Sequence, residues 1–437
     1  MKTFALLALL TATSALAQDA PPLEVDVVGG TNAVSTIAVP TLPTPADTDT
    51  AAGRTGTLGR QIATVIASDL RSTGNFTPLG PTGIPTYSAA EAASPTYATW
   101  RSTGAAQLVT GTVEASGDRI TVGCRLHDVA AGRELVRQGF TVDAADWRRA
   151  AHKCADAIYS RLSGETGFLD TRVVYVAETG PKTRRTKRIA IMDSDGSDHR
   201  YLTAGDATVT TPRFSPRGDR LVYMTAAGRR PRVRIMDVAT GKDRNLIPGL
   251  ALTFAPRFSP NGGQVVFSMA SGGNTDIYVV DADGGAPRRL TNVPGADTSP
   301  SYSPDGRRIV FESDRSGAQQ LYVMNADGSD QRRISFGGGR YASPVWSPRG
   351  NLIAFTKIAG PFRVGVMSPG GSGEKILSDG WQDEGPSWAP NGQFVMFNRI
   401  RQGSGQTSLY AVNINGGSPR RLPTPQDGSD PSWSPLR

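Results

Sequence analysis

The sequence PRFSPRG (Pro212–Gly218) recurs through the second half of the chain, and this repetition decides the fold. The later copies are PRFSPNG (256–262), PSYSPDG (300–306), PVWSPRG (344–350), PSWAPNG (386–392) and a shortened PSWSP (431–435). Their central Ser or Ala residues, at 215, 259, 303, 347, 389 and 434, are 44, 44, 44, 42 and 45 residues apart. A period in the forties with Gly-containing turns predicts a β-propeller with one blade per repeat. We call the repeated element the PxxSP motif.

Each full repeat predicts further strands behind the motif. The first of them ends in an aromatic residue eight positions after the central Ser or Ala, at Tyr223, Phe267, Phe311, Phe355 and Phe397. Strand-like runs that begin at Arg172 precede the first motif, whereas the last motif has no strands behind it. These two incomplete sets complete each other, which predicts six blades. The ring is closed by Ser432–Ser434 pairing with the strands that begin at Arg172, and closure removes exposed sheet edges.

The N-terminus predicts export. Met1-Lys2 is followed by the apolar run Phe4–Leu10 and by Ala15-Leu-Ala17, which together indicate a secretory signal peptide over residues 1–17 with cleavage near Ala17. No later stretch reaches the roughly 20 apolar residues of a membrane helix. The mature protein is therefore expected to be soluble and exported.

Residues 18–34 are interpreted as a partner-binding segment. Apolar and acidic residues alternate there with the period of a half-exposed strand. The alternating residues are Leu23, Glu24, Val25, Asp26 and Val27. A strand followed by Gly29-Gly30 either pairs with a partner's sheet or is fixed as the first strand of its own domain.

Residues 35–167 predict a small α+β domain, and residues 168–437 the propeller. Helical periodicity covers Leu58–Ser72 and Trp147–Leu162, and strand-like runs lie between them. Cys124 falls in a predicted strand and Cys154 in the second predicted helix. In an oxidising compartment the two cysteines either form a disulfide or are two buried small apolar residues. The predicted fold class is thus mainly β, a six-bladed β-propeller preceded by a small α+β domain.

The sequence predicts no catalytic or metal chemistry. It contains no G-x-S-x-G, P-loop or H-E-x-x-H motif, and it has three His in all. The run Asp193–Asp198 resembles the start of a calcium loop, but Ala204 stands where such a loop needs an acidic ligand, so we interpret the run as a turn. The net charge of +8 is a modest excess on 437 residues, with paired arginines at repeated positions, which indicates solvated blade edges rather than a nucleic-acid surface. We expect no enzyme activity, cofactor, metal or nucleic-acid partner.

The residues just before each PxxSP motif are the candidate binding site. They enter the innermost strand of each blade, so they should ring one mouth of the central channel. A concave ring of small, polar and acidic side chains without catalytic groups suits a protein or peptide ligand. The candidates are Thr211, Phe254, Ala255, Asp297, Thr298, Ser299, Ala342, Ser343, Glu384 and Asp430.

The signal peptide, the small α+β domain, the six PxxSP repeats and the final Trp-Ser-Pro together resemble the TolB family over nearly the whole chain. The repeat alone also occurs in propellers of prolyl-oligopeptidase-like peptidases, but those carry a hydrolase domain. The resemblance implies a periplasmic, non-enzymatic adaptor of the Tol–Pal system that supports outer-membrane invagination at cell division and envelope integrity. It implies that the mouth binds the lipoprotein Pal, foremost through Ala255 and Thr298, and that the segment around Leu23–Val27 binds TolA. It also implies a protein peripheral to membranes and monomeric apart from its partners.

Two other functions remain open at this point. One is a regulatory propeller of a peptidase assembly, which needs a separate catalytic partner. The other is a peptidoglycan-binding module, which needs a stack of exposed aromatic side chains. A pull-down from envelope extract separates these alternatives, because recovery of an outer-membrane lipoprotein favours the adaptor and recovery of glycan alone favours the last.

Overall fold

The computed structural model describes residues 34–227, 230–249 and 251–437. Its first domain is a sheet with two long helices on one face. The strands are β1 (Ser35–Ala38), β2 (Asp49–Thr50), β3 (Gly53–Arg54), β4 (Phe76–Leu79), β5 (Gln107–Thr110), β6 (Val113–Ser116), β7 (Arg119–Asp128) and β8 (Arg133–Asp143). The helices are α1 (Thr55–Thr73), α2 (Tyr97–Arg101) and α3 (Trp147–Ser163). The main sheet has the order β4-β1-β5-β7-β6, with β8 along the other edge of β7, and β2 and β3 form a separate hairpin.

Helices α1 and α3 follow the predicted periodicity. Leu58, Ile62, Ile66 and Leu70 form the buried side of α1, and the helix ends where Gly74 adopts a left-handed conformation that suits glycine. The structure joins Cys154 of α3 to Cys124 of β7 in a disulfide with a Cα–Cα distance of 5.7 Å. Of the two alternatives that the sequence left open for the cysteines, the structure therefore has the disulfide.

The remaining strands form the propeller. Blade 1 contains β9 (Arg172–Thr179), β10 (Thr186–Asp193) and β11 (Arg200–Tyr201). Blade 2 contains β12 (Thr208–Phe214), β13 (Arg220–Ala227), β14 (Arg230–Asp237) and β15 (Asp243–Asn245). Blade 3 contains β16 (Leu252–Phe258), β17 (Gln264–Ser271), β18 (Asn274–Asp281) and β19 (Arg288–Arg289), and blade 4 contains β20 (Asp297–Tyr302), β21 (Arg308–Ser313), β22 (Gln320–Asn325) and β23 (Arg332–Arg333). Blade 5 contains β24 (Arg340–Trp346), β25 (Ile353–Ile358), β26 (Phe362–Met367) and β27 (Lys375–Ile376). Blade 6 contains β28 (Gln382–Trp388), β29 (Phe394–Ile400), β30 (Thr407–Asn413) and β31 (Arg420–Arg421), and the chain ends with β32 (Asp427–Trp433).

Ring closure confirms the sequence prediction. Strand β32 pairs antiparallel with β9 and is the innermost strand of blade 1. The pairing continues beyond the strand, where the amide of Ser434 donates to the carbonyl of Arg172 at 2.8 Å. The first and last strands of the propeller thus share one sheet, and β9 is not left as an open edge.

Apolar side chains fill the blades at repeated positions. The predicted aromatics Phe267, Phe311 and Phe397 are fully buried, and each stacks on a tyrosine of the next strand with ring centroids 5.7 to 6.1 Å apart. The tryptophans of the last three PxxSP motifs are buried as well, with exposed fractions of 5 to 9%. These tryptophans are therefore part of the packing and do not form the exposed aromatic stack that a glycan-binding module needs.

The two domains pack directly on each other. One apolar cluster runs from α1 and α3 through Phe168 to Phe394 and Trp433 of the propeller. Polar contacts surround it, and Glu165 after α3 accepts hydrogen bonds from Arg349 and Gln393 of blades 5 and 6. In the part of the chain that the structure describes, none of the helices combines the length and apolar character needed to cross a membrane.

Candidate partner-binding site at the propeller mouth

One end of the central channel opens into a cavity of about 620 Å³, which we call the mouth. It lies on the side from which the inner strands enter each blade, as the sequence predicted. Its lining is polar and comes chiefly from blades 1, 5 and 6. The lining residues are Glu178, Arg185, Lys187, Ala342, Ser343, Thr356, Ile358, Glu384, Gly385, Asn398, Ile400, Gly405, Thr407, Ser429 and Asp430.

Each inner strand carries a β-bulge directly before its PxxSP motif. Pairing with the second strand of the blade is interrupted there in all six blades. The residue at the bulge has a positive φ in each case: Thr211 (50°), Ala255 (50°), Ser299 (54°), Ser343 (51°), Gly385 (68°) and Asp430 (51°). A bulge bends the strand and redirects its side chains, and such left-handed residues concentrate at functional sites. The six bulges narrow the channel to a small cavity of about 60 Å³, which we call the constriction.

Side chains of the second strands link one blade to the next at these bulges. The Glu312 carboxylate accepts hydrogen bonds from the hydroxyls of Thr298 and Ser299 in its own blade, and from the amide of Ser343 in the next blade. In the same manner, Asn398 Oδ1 in blade 6 accepts a hydrogen bond from the backbone amide of Asp430 in blade 1 at 3.3 Å. These contacts hold the rim of the mouth in place before any partner arrives, which lowers the entropic cost of binding.

Three acids and two basic residues line the mouth. Burial raises the pKa of Glu384 above its ordinary value, and the nearby charge of Asp430 raises it further. Glu178 is balanced by Lys187 at 3.1 Å and Arg185 at 3.6 Å, and it accepts the Ser429 hydroxyl at 2.6 Å. Glu384 and Asp430 are therefore the acids of the mouth without an ion pair among the described residues, and they are available to cationic or hydrogen-bond donor groups.

The structure brings together most of the residues predicted from sequence, in two groups. Ala342, Ser343, Glu384 and Asp430 line the mouth, and Thr211, Ala255 and Ser299 join Ser343 and Asp430 at the constriction. Phe254 and Thr298 are half-buried neighbours on the same strands.

Asp297 differs from the other candidates. It is fully buried, and its Oδ2 accepts a hydrogen bond from Arg315 at 2.7 Å. A carboxylate in this position shapes the strand and is not exposed to a partner, so the expectation of a surface acid at Asp297 is wrong. The predicted segment Leu23–Val27 lies outside the described residues.

Sequence reasoning missed Thr356 and Asn398 among the residues of the mouth, whereas Trp381 was expected nearby. Thr356 and Asn398 directly follow the aromatic residue of the second strand, as does Glu312, and this position is polar in four of the five full repeats, which is the signal that would have found them. Trp381 is half exposed, with 52% of its surface accessible, and it lies three residues before Glu384 in the chain. Tryptophan is among the residue types most enriched as energetic anchors of protein interfaces.

A buried cluster of potential metal ligands lies far from the mouth. Asp69 of α1, His152 of α3 and Asp195 of the β10–β11 turn place ligand atoms within 4.8 Å of one another. His152 Nδ1 is 2.7 Å from Asp69 Oδ2, and Asp195 forms an ion pair with Arg148. Because each carboxylate already has a cationic partner, we interpret this cluster as a charge network between the two domains.

Comparisons with known proteins agree with this architecture. Family models for the TolB amino-terminal domain and the TolB beta propeller domain match residues 23–135 and 159–437. Tol-Pal system protein TolB of Rhizorhabdus wittichii is 64% identical over 98% of this chain and 98% of the relative, and that of Zymomonas mobilis is 61% identical over 95% and 91%. The crystal structure of TolB from Acinetobacter baumannii superposes with a TM-score of 0.80 at 27% identity, covering 92% of this chain and 97% of that one. The chain therefore belongs to the TolB family.

Proposed function

We propose that this protein is a periplasmic, non-enzymatic adaptor of the Tol–Pal system. In this proposal the mouth binds the lipoprotein Pal, and the N-terminal segment around Leu23–Val27 binds TolA. The adaptor supports outer-membrane invagination during cell division and the integrity of the envelope. Membership of the TolB family supports the assignment to the Tol–Pal system.

The observation that carries Pal binding is the ring of six bulges around the channel, of which those of blades 1, 5 and 6 line the mouth. The ring presents polar side chains, and hydrogen bonds between blades fix its shape in advance. Trp381 is half exposed three residues before the mouth residue Glu384 in the chain, while Glu384 and Asp430 supply carboxylates without an ion pair among the described residues. A partner that covers the mouth would bury the indole and place cationic or donor groups against those carboxylates, and interfaces commonly combine an aromatic anchor with polar contacts in this way.

Calorimetric titration with the soluble domain of Pal tests the mouth. We expect Trp381→Ala to weaken Pal binding about tenfold or more, the loss typical of an aromatic anchor. The matched control is Ile376→Ala, which removes an exposed apolar side chain from the outer strand β27 of a neighbouring blade. If both variants bind Pal as tightly as the unmodified protein, the mouth is not the Pal site.

Deletion of Leu23–Val27 tests the second partner. We expect the deletion to abolish binding of TolA while Pal binding through the mouth persists. Loss of both interactions together would indicate misfolding, and retention of TolA binding would contradict the assignment.

The two partners are further proposed to oppose each other. If Pal favours a docked N-terminal segment, the affinity for TolA falls, and thermodynamic linkage then requires TolA to weaken Pal by the same factor. Titration of TolA with and without saturating Pal measures this factor. Equal TolA affinities in the two titrations would remove the coupling and leave the adaptor role intact.

A further inference from the structure

The channel has a second opening, on the face opposite the mouth. This opening is a cavity of about 600 Å³, which we call the funnel, and the second proline of every PxxSP motif lines it. Two arginines, Arg213 and Arg257, line both the funnel and the constriction at its base. Among the described residues that line the funnel, these two are the only charged ones.

The two arginines occupy equivalent places on neighbouring inner strands. Each is the second residue of its PxxSP motif, in β12 and β16 respectively. The same position holds Ser301, Val345, Ser387 and Ser432 in the other four blades. Because those blades form the same bulge and strand with small or apolar residues, blade geometry does not require an arginine here.

Arg213 is tied to the backbone, whereas Arg257 is not. Arg213 Nη1 donates to the carbonyls of Pro212 at 2.8 Å, Pro431 at 3.3 Å and Asp430 at 3.4 Å. Within residues 34–227, 230–249 and 251–437, the side chain of Arg257 makes no hydrogen bond or ion pair, although its backbone pairs with Val266. Its guanidinium therefore has all its donors free for water or for a ligand in the channel.

The local charge is unbalanced. Asp430 is the one acid that lines the constriction, and its Oδ2 already accepts the amide of Thr211 at 3.2 Å. Burial lowers the pKa of Arg257 below its ordinary value, and the neighbouring charge of Arg213 lowers it further. A partly buried cation beside another cation is unfavourable unless an anion or water compensates it.

We propose that Arg257, together with Arg213, binds a small oxyanion at the base of the funnel. The ligand is a carboxylate or a phosphate group, because the planar guanidinium pairs with two oxygens of either group in parallel hydrogen bonds. The site is reached from the face opposite the mouth, so a partner on the mouth leaves it open.

Thermal unfolding and calorimetric titration at low ionic strength test this site, with sodium phosphate and sodium acetate as probes and sodium chloride at matched ionic strength as the salt control. In the unmodified protein, phosphate, acetate or both raise the melting temperature beyond the chloride control. Arg257→Gln loses this rise and binds the active probe at least about tenfold more weakly, as expected for a lost charge-assisted hydrogen bond. The matched control Arg217→Gln, which changes an exposed arginine of the same motif in blade 2, keeps both effects.

A structural role for Arg257 gives the opposite pattern. If Arg257 stabilised the fold, Arg257→Gln would melt lower without any probe, whereas relief of the repulsion from Arg213 predicts an equal or higher melting temperature. The proposal is overturned if Arg257→Gln melts lower without probe, if neither probe acts beyond chloride, or if the probes act equally on the variant. A response to phosphate alone or to acetate alone identifies which oxyanion class the site prefers.

Discussion

Five residues at the channel constriction hold a backbone conformation that favours glycine. A left-handed conformation costs an L-residue about 1–2 kcal/mol, and the penalty is largest for a β-branched side chain such as Thr211. The hydroxyl of Thr211 is moreover buried without a hydrogen-bond partner. The sixth blade places Gly385 at the same position, so the fold itself accepts glycine there. Four of the other five blades retain a polar residue there, at Thr211, Ser299, Ser343 and Asp430, which agrees with a binding role for the constriction.

Thr211→Gly should therefore stabilise the protein by about 1 kcal/mol, because it removes both the left-handed strain and the unpaired hydroxyl. Chemical denaturation measures the change. The reverse substitution Gly385→Ala should destabilise it by a similar amount, since a Cβ there would lie 3.0 Å from Asn398 Oδ1 at φ 68°. Loss of stability in Thr211→Gly would show that Thr211 is not strained.

The buried pair of His152 and Asp69 makes stability depend on pH. Burial alone would lower the pKa of His152, but the charge and hydrogen bond of Asp69, with smaller contributions from Asp195 and Asp193, raise it to about 9. Burial also raises the pKa of Asp69, to about 6. A pKa that is higher in the folded state gives stability that is complete below the unfolded pKa and is lost as the pH rises through the folded value.

Stability should accordingly fall between pH 6.5 and pH 9, by about 3 kcal/mol from His152. We expect His152→Gln to remove most of this fall, as measured by urea unfolding at several pH values. The comparison variant is His199→Gln. Burial lowers the pKa of His199, so its contribution to the free energy of unfolding changes with pH in the opposite direction to that of His152. An unchanged pH profile in His152→Gln would contradict the assignment of the pair.

At the scale of elements, the sequence pattern predicted the strands and the number of blades, but not the features that depend on contacts between distant residues. The PxxSP motif and the aromatic eight residues later located the first two strands of each full repeat, and the incomplete sets at the two ends of the repeat region, which complete each other, gave the blade count. The bulges were not predicted, because proline at the next position normally favours an extended residue before it, whereas the structure has a positive φ where the register with the second strand shifts. The burial of Asp297 also escaped prediction, since its partner Arg315 lies 18 residues away on the loop beyond β21.

Strand β32 is the element on which ring closure depends. Removal of Ser432–Arg437 deletes the pairing of Trp433 with Val173 and the hydrogen bond from Trp433 Nε1 to Thr171, and it exposes this part of the β9 edge. We expect a loss of about 3–5 kcal/mol or more from the buried indole alone, together with self-association through the free edge. Thermal melting and size-exclusion chromatography measure the two effects.

Removal of Leu436–Arg437 alone is the graded control for that truncation. It leaves β32 intact, removes a half-exposed leucine and breaks the contacts of Arg437 with Asp193 and Asp170 at 3.4 and 3.7 Å. The shorter truncation should therefore lower the melting temperature much less than the longer one. Equal melting temperatures for all three proteins would show that the ring does not depend on its last strand.

At the scale of the whole molecule, the two domains share one apolar core. Phe168 lies at their junction. The centroid of its ring is 5.5 Å from that of Tyr159 in α3, 4.8 Å from that of Phe394 in blade 6 and 5.6 Å from that of Trp433 in blade 1. A junction that is packed as densely as a domain interior transmits loss of structure from one side to the other. The chain should then unfold in one cooperative step, although its length alone suggests two.

Calorimetry of the unmodified protein should give a calorimetric enthalpy equal to the van't Hoff enthalpy, which is the mark of a single transition. Phe168→Ala removes the shared ring and should cost about 3–5 kcal/mol, and it should separate the domain and propeller transitions because their main apolar contact is gone. Phe336→Ala is the matched control, since that phenylalanine is 73% exposed on the loop before β24 and its removal should leave the profile unchanged. Two transitions in the unmodified protein, or identical profiles for the two variants, would mean that the domains are held together by the surrounding polar contacts and not by the core. In that case Glu165, which binds Arg349 and Gln393 across the junction, becomes the residue on which the coupling depends.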